Sequence, residues 1–284
     1  MQGIMHEAAN QHASRPRRCA VPGSWCAELL PRHPYQAAYT ADLPVIGFAF
    51  DGQVGVHAFG SDRKAAFRAR ANGLAYVPAG CDIYSQSRHG GEYLKITVEK
   101  QQHEEPWPWP RRFSDVIDPV AIDTAQQLRR LLLAGDRIDE LQCERLVDTL
   151  KQRTVHVLGG ASIEPAARCW MTPRRLRLIE DLIEARLDAK LTVQELAGAL
   201  RLSAGFFCRA FHAAVGQAPH DYIIDRRVSR ARTLLRNAAL ELGGIAHASG
   251  FASHAHMTAT FRKRLGVSPS ELRRHLDAFG AWPS

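Results

Sequence analysis

Cysteine and histidine are the side chains here that most often bind metals, and their spacing decides whether a metal site is expected. The six cysteines contain no Cys-x-x-Cys pair and no paired zinc-ligand spacing, so neither a zinc site nor a disulfide framework is predicted. They are Cys19, Cys26, Cys81, Cys143, Cys169 and Cys208. His57 and His89 stand alone, whereas a metal needs three or four convergent ligands. We therefore expect reduced, mostly buried thiols, no metal and no cofactor.

Arginine is the other side chain whose placement indicates chemistry. The formal net charge is +8, and +7 of it lies between residue 174 and the end of the chain. This region contains 17 Lys and Arg and 10 Asp and Glu. The first 173 residues have 20 Lys and Arg against 19 Asp and Glu. Guanidinium groups bind phosphates bidentately, and neutralising phosphates releases condensed counterions. This end of the chain suits a polyanionic partner, although a merely basic soluble surface would have the same charge.

The basic region contains two segments that resemble each other. The first is LTVQELAGALRLSAGFFCRAFHAAVGQAP and the second is LGGIAHASGFASHAHMTATFRKRLGVSP. In each, a small Ala lets two helices cross closely, a Ser caps the second helix, and Gly followed by Pro ends it. Both segments are therefore predicted to be helix-turn-helix units, at 194–215 and 242–265. A long helix rich in arginine is predicted to hold them rigidly apart.

The order of these residues resembles the AraC/XylS family of bacterial transcription regulators, over residues 174–276. The matching positions are Leu196-Ala197, Leu202-Ser203, Phe207, Arg209, Phe211, Gly216, Pro219, Tyr222, Arg227, Ala231, Leu234-Leu235, Ile245-Ala246, Gly250-Phe251, Phe261-Arg262-Lys263 and Gly266 to Pro269. The resemblance implies an all-α, sequence-specific DNA-binding domain. Its two recognition helices would enter successive major-groove segments about one helical turn apart.

The resemblance also assigns the positions that face DNA. In the first recognition helix they are Ala204, Gly205, Cys208 and Arg209. In the second they are His254, Ala255, Thr258 and Ala259, with Arg262, Lys263 and Arg264 near phosphates. The family usually has Arg where Ala259 stands and often Ser where Ala255 stands. We therefore expect Arg209 to contact bases, while the second helix mainly contacts the backbone and senses DNA shape.

The first half of the chain has a different pattern. Residues 1–20 predict a disordered tail, and 21–118 contain short β-prone runs. The runs at 45–50 and 54–59 flank Asp51-Gly52, a tight-turn pair, and predict a β-hairpin, while 73–80 and 92–99 predict two more strands. Short strands without intervening helices favour a β-barrel or sandwich, so the predicted fold class of the whole chain is α+β.

Family resemblance implies that this β region is a cupin-like domain that binds a small-molecule effector. GLAYVPAG resembles the Gly-x4-Pro-x-Gly turn of cupins, but Ile83 stands where metal-binding cupins have His, and the paired His-x-His is missing. Residues 119–158 predict two helices that form a dimer contact, and 159–173 predict a linker to the DNA-binding domain at 174–276. The leucines expected at the dimer contact are Leu131, Leu132, Leu141, Leu146 and Leu150, with the alternative that one pair packs on the barrel.

Three alternatives stay open at this point. A metal-dependent cupin enzyme fused to a DNA-binding domain would need the missing histidines, and a repair methyltransferase fusion would need a cysteine-rich zinc site. A non-specific architectural DNA binder would need neither. We expect a transcription regulator without enzyme activity, whose partners are double-stranded promoter DNA, a small-molecule effector, a second copy of the chain and RNA polymerase. No run of 18 apolar residues and no signal-peptide core occurs, so a cytoplasmic location without a membrane partner is expected.

Overall fold

The computed structural model describes residues 17–99, 111–134, 138–160 and 170–280, with side chains as far as residue 274. Within these ranges the first half forms strands. They are β1 (Arg17–Val21), β2 (Trp25–Leu30), β3 (Tyr35–Thr40), β4 (Val45–Ala49), β5 (Gln53–Phe59), β6 (Ala65–Ala69), β7 (Gly73–Val77), β8 (Asp82–Ser87), β9 (Tyr93–Val98) and β10 (Phe113–Ile117). All strand pairs are antiparallel.

Helices follow the strands. They are α1 (Pro119–Ala134), α2 (Glu140–Leu158), α3 (Pro173–Ala185), α4 (Val193–Ala199), α5 (Ala204–Val215), α6 (Pro219–Leu235), α7 (Leu242–Ala248), α8 (His254–Leu265) and α9 (Pro269–Gly280). The chain is therefore α+β, with a β-rich first half and a helical second half. In the described ranges, no helix is both long enough and apolar enough to cross a membrane.

The strands form two sheets. One has six strands in the order β1-β2-β9-β4-β7-β10, and the other has four in the order β3-β8-β5-β6. Alternate residues of the central strands, such as Phe48, Leu94 and Ile96, are buried in one cluster with apolar residues of α1 and α2. This alternation is the period of a strand with one face on a core, so the two helices cover one face of the six-stranded sheet.

The predicted hairpin at 45–59 is wrong. β4 and β5 do not pair with each other but lie in different sheets. The reason is the role of Asp51, whose carboxylate is buried and accepts hydrogen bonds from the Glu92 N–H at 3.0 Å and the Ser229 hydroxyl at 3.2 Å. The segment at Asp51 and Gly52 is therefore a crossover between sheets, held by partners distant in sequence.

The disordered tail predicted at residues 1–20 also extends too far along the chain. Strand β1 begins at Arg17 and pairs with β2, so residues 17–20 belong to the sheet. The register places Cys19 opposite Ala27, and both side chains are buried. Residues 1–16 lie outside the described residues, as does most of the predicted linker, from 161 to 169.

Helices α1 and α2 occupy the segment predicted as a dimer contact, but their leucines have unequal environments. Leu132 and Leu150 are fully buried in the chain's own core, and Leu131 and Leu146 pack partly against it. Leu141 is 67% exposed. Leu132 and Leu150 are therefore not available for a dimer contact, because they help to cover the apolar face of the six-stranded sheet.

The helical second half has two centres of packing. Helices α3 to α5 and the start of α6 enclose one cluster, which includes Phe207, Phe211 and Tyr222. The rest of α6 packs with α7, α8 and α9 around Met257 and Phe261, in a cluster continuous with that of the first half. The buried aromatic and methionine side chains of the two recognition helices are thus Phe207, Phe211, Met257 and Phe261.

Candidate nucleic-acid interface

The first recognition helix, α5, follows α4 through a short turn. At the start of α4, the Glu195 N–H donates to Thr192 Oγ1 at 3.3 Å and the Thr192 N–H donates to the Glu195 carboxylate at 2.8 Å. These hydrogen bonds, led by the one from the Thr192 backbone, lower the pKa of Glu195 to about 2. Ser203 then starts α5 by accepting from the Phe206 N–H at 3.4 Å. Both caps satisfy N–H groups that a helix start would otherwise leave unpaired.

One face of α5 is open to solvent. Gly205 and Arg209 are exposed and Ala204 and Cys208 are half-buried, while Phe207 and Phe211 of the same helix are buried in the core. Offsets of one, four and five residues place these four positions together on a helix surface. Arg209 is the only one of the four with a side chain long enough to reach a base edge by hydrogen bonds.

The second recognition helix, α8, has a similar start and a different surface. Ser253 accepts from the His256 N–H at 3.1 Å. His254 and Ala255 are exposed, and half-buried Thr258 lies 3.4 Å from His254 Nε2 through its hydroxyl. With Ala259 also exposed, this face is flatter than that of α5 and has shorter polar groups.

The last turn of α8 carries three cations that differ in environment. Arg262 and Lys263 are exposed. Arg264 forms ion pairs with Asp221 and, at 3.4 Å, with Asp225 of α6. The assignment of Arg264 to DNA phosphates is therefore not supported by its contacts, because the two carboxylates of α6 already neutralise it.

Helix α6 fixes the two units relative to each other. Phe211 of α5 packs edge-on to Tyr222 of α6, with ring centroids 5.4 Å apart. Arg227 of α6 donates to the Leu187 carbonyl at 3.0 Å. Gly250, in the turn of the second unit, lies so close that a Cβ there would be 1.9 Å from the same carbonyl oxygen. The loop after α3 thus connects α6 and the second unit.

The β-rich half binds the far end of α5. Asn72 Nδ2 donates to the Val215 carbonyl at 3.1 Å, and Arg70 Nη1 donates to the Ala214 carbonyl at 3.1 Å. The last carbonyls of a helix have no partner within the helix, so these donors satisfy them. The next residue, Gly216, has φ +77°, and a Cβ on it would lie 2.3 Å from a side chain of α1. The first recognition helix is therefore anchored to the β-rich half at its C-terminal end.

Buried ion pairs hold α6 to the β-rich half. Glu92 is 1% exposed and pairs with Arg129 of α1 and Arg232 of α6. Asp51 pairs with Arg226 of α6 at 3.3 Å. Burial by itself would raise the pKa of Asp51, but Arg226 and the Glu92 N–H hold it below its ordinary value. The helix that spaces the two units is therefore fastened to the first half by charge.

Sequence patterns alone do not identify Asp51 and Glu92 as part of this contact. Asp51 belongs to a turn pair and Glu92 precedes a strand, which are ordinary places for solvated carboxylates. The available signal is the density of arginines in α6 and just after it, five between residues 226 and 236. Some of these cations can be expected to need carboxylate partners elsewhere in the fold.

The lone His57 has aromatic neighbours. Its ring stacks on Phe67 and meets Phe59 edge-on, each at a centroid distance of 4.9 Å. Burial, followed by the charge of Arg112, lowers the pKa of His57. Across the described parts of the chain, no three His, Cys, Asp or Glu side chains converge as a metal site would require.

Two helix-turn-helix units with buried cores, outward recognition faces and a shared linker helix define a DNA-binding protein of the helix-turn-helix class. A family model described as a helix-turn-helix domain matches residues 196–275. The chain is 34% identical over 84 residues to a putative AraC-like transcription regulator of Streptomyces antibioticus, covering 30% of this chain and 28% of that protein. It therefore spans little more than a quarter of that relative's length.

A longer match extends into the β-rich half. The HTH-type transcriptional regulator YijO of Escherichia coli K12 is 30% identical over 247 residues, covering 84% of this chain and 83% of that protein. A solved AraC-type regulator from Chromobacterium violaceum is 28% identical, covers 39% of this chain and 96% of its own, and has a TM-score of 0.35. The chain belongs to the AraC-type family of helix-turn-helix transcription regulators.

Proposed function

We propose that this chain regulates transcription by binding a specific sequence of duplex DNA with α5 and α8. The observation that carries the proposal is the pair of exposed recognition faces, each capped by a Ser and both packed on α6. A rigid pair of helices can enter successive major-groove segments, and the exposed arginine of α5 can donate two hydrogen bonds to a guanine. The exposed cations at the end of α8, Arg262 and Lys263, suit phosphate contacts.

Selection from random duplexes tests this function with the full chain. The account predicts an enriched sequence with two elements about 10 base pairs apart, bound with an affinity that falls steeply as salt rises. A scrambled duplex of the same composition is the control. Enrichment of no sequence would favour the architectural binder instead.

Effector control is the second part of the proposal. A cleft of about 450 Å³ lies where the β2–β3 and β8–β9 loops meet α3 and α6. Its charged lining consists of Arg32, Arg88, Arg226, Arg230 and Arg236, with Glu184 as its one carboxylate. Arg226 already pairs with Asp51 and Glu184, so the other four arginines carry the excess positive charge. Because positive charge is in excess, the effector suited to this cleft is a small anion, bound through carboxylate or phosphate oxygens.

A second cleft, of about 770 Å³, lies between the four-stranded sheet and α3, and two of its three arginines already have carboxylate partners. Arg68 pairs with Glu180 at 2.5 Å, and Arg70 pairs with Asp115 at 3.0 Å. The first cleft is therefore the better anion site.

Citrate and inorganic phosphate should raise the melting temperature of the wild type more than glycerol does. Arg230→Ala should lose that rise, whereas Arg145→Ala, on the exposed side of α2, should keep it; equal rises in both variants would contradict this site.

We further propose that the β-rich half is a cupin-like sensing domain and that the chain acts as a homodimer. The exposed side of α2 carries Leu141 and Val155, which suit a contact with a second copy. Leu141→Asp should then lower the mass in solution, and Leu178→Asp on the exposed side of α3 is its control. An unchanged mass for Leu141→Asp would refute the dimer contact.

Regulation of transcription implies action on RNA polymerase, and in bacteria it implies a cytoplasmic location.

A further inference from the structure

Two aromatic side chains, Trp170 before α3 and Phe206 on α5, contact each other next to the predicted DNA-contacting positions of the first recognition helix. Trp170, just before α3, is 51% exposed although it is the largest side chain type in proteins. Its ring meets that of Phe206 edge-on, with centroids 5.3 Å apart and planes at 88°. Phe206, on the first turn of α5, is itself half-buried. Edge-to-face packing at this distance is a favourable aromatic arrangement.

Arg209 rests on the other side of this pair. Its guanidinium carbon lies 6.0 Å from the centre of the Phe206 ring. One of its terminal nitrogens would be 3.8 Å from a Cβ on Gly205. The guanidinium therefore lies back over Phe206 and Gly205, three and four residues before Arg209 in the helix. Its distance from the Phe206 ring is at the outer limit of a cation–π contact.

Trp170 is held in place by α3. Its carbonyl accepts a hydrogen bond from Arg175 Nη1 at 2.9 Å, and the Arg175 guanidinium lies 5.5 Å from the indole ring. The next residue, Met171, is buried in the core of the first unit, and Thr172 caps α3. A row of contacting side chains therefore runs from α3 to the exposed face of α5, with two aromatic rings between two cations. The order is Arg175, Trp170, Phe206 and Arg209.

We propose that Trp170 and Phe206 are positioning residues that orient Arg209 toward a base edge, and so set the sequence selectivity of α5. The proposal rests on the proposed function. A free arginine has many rotamers, and ordering them on binding lowers affinity, so an arginine already supported binds its base more tightly. An indole that only covered the core would stabilise the fold and leave selectivity unchanged.

The test uses the full chain, its selected operator and a scrambled duplex. Trp170→Ala and Phe206→Leu should weaken binding to the operator by about threefold to tenfold, with little change for the scrambled duplex. Trp170→Phe, which keeps an aromatic ring, should restore most of the loss. Leu178→Ala, which removes another exposed apolar side chain of α3, is the matched control. Thermal melting checks that each variant is folded.

Combination with Arg209→Ala separates positioning from other roles. If Trp170 acts through Arg209, adding Trp170→Ala to Arg209→Ala should change neither affinity further. Additive losses, or equal losses on both duplexes, would show a direct backbone contact or a fold effect and overturn the proposal. If Arg209→Ala abolishes selectivity while Trp170→Ala leaves it intact, positioning is refuted and the proposed function stands. A wild type without operator preference would refute both.

Discussion

Replacing Glu92 with Gln should weaken the attachment of α6 to the β-rich half. The substitution keeps the shape of the side chain and removes its charge, so Arg129 and Arg232 lose their shared carboxylate. Glu92 is 1% exposed, and water cannot replace it. Removing one partner from a buried ion pair costs about 3–5 kcal/mol, because the remaining charge stays buried and unpaired. We expect a loss of that order in the free energy of unfolding.

Urea unfolding of the full chain measures this loss, and Glu28→Gln is the control. Glu28 pairs with Lys95 at 3.7 Å, and their side chains are 23% and 29% exposed. A pair this open to solvent contributes about 1 kcal/mol or less. Because the Glu92 carboxylate joins the two halves, removing its charge should also make the two halves unfold in two separate transitions. A cost for Glu92→Gln no larger than that for Glu28→Gln would refute the reasoning.

Three further predictions concern the helix ends. Gly216→Ala should cost clearly more free energy of unfolding than Gly266→Ala. Both glycines have φ +77°, but a Cβ at 216 would lie 2.3 Å from Ile122 of α1, whereas the nearest α1 atom to a Cβ at 266 is 3.9 Å away. The α4 cap should stabilise fully above pH 4.5 and be lost as pH falls through about 2, since folding lowers the pKa of Glu195. Urea midpoints of the wild type and Glu195→Gln should therefore converge in acid; a constant gap would contradict this. Lys263→Ala should lower the salt slope of DNA binding by about one unit, whereas Arg264→Ala should lower stability and leave the slope unchanged.

Local signals were enough to predict the recognition helices. Ser203 and Ser253 start α5 and α8, and Gly216 and Gly266 end them, because caps and left-handed glycines act within a few residues of the chain. Helical spacing also indicates which side chains of α5 and α8 face the core of their own unit. These features need no knowledge of distant partners, which is why the sequence predicts them well.

Long-range contacts explain what the sequence did not predict. Asp51-Gly52 has the composition of a hairpin turn, yet Asp51 binds Ser229 and Arg226, more than 170 residues away. The amphipathic pattern around Leu132 and Leu150 indicates an apolar face but not its partner, and the partner is the chain's own sheet. Pattern alone likewise leaves open which cation is free, as the pairing of Arg264 shows.

The affinity of wild type and Arg209→Ala for the selected operator and its scrambled control, at two salt concentrations, tests the central claim most directly. A bidentate arginine–guanine contact is worth about 1–3 kcal/mol of discrimination, so Arg209→Ala should lower operator affinity by about fivefold to a hundredfold. Affinity for the scrambled duplex and the salt slope should change little. Equal losses on both duplexes, or a wild type that binds them equally, would contradict sequence reading by α5.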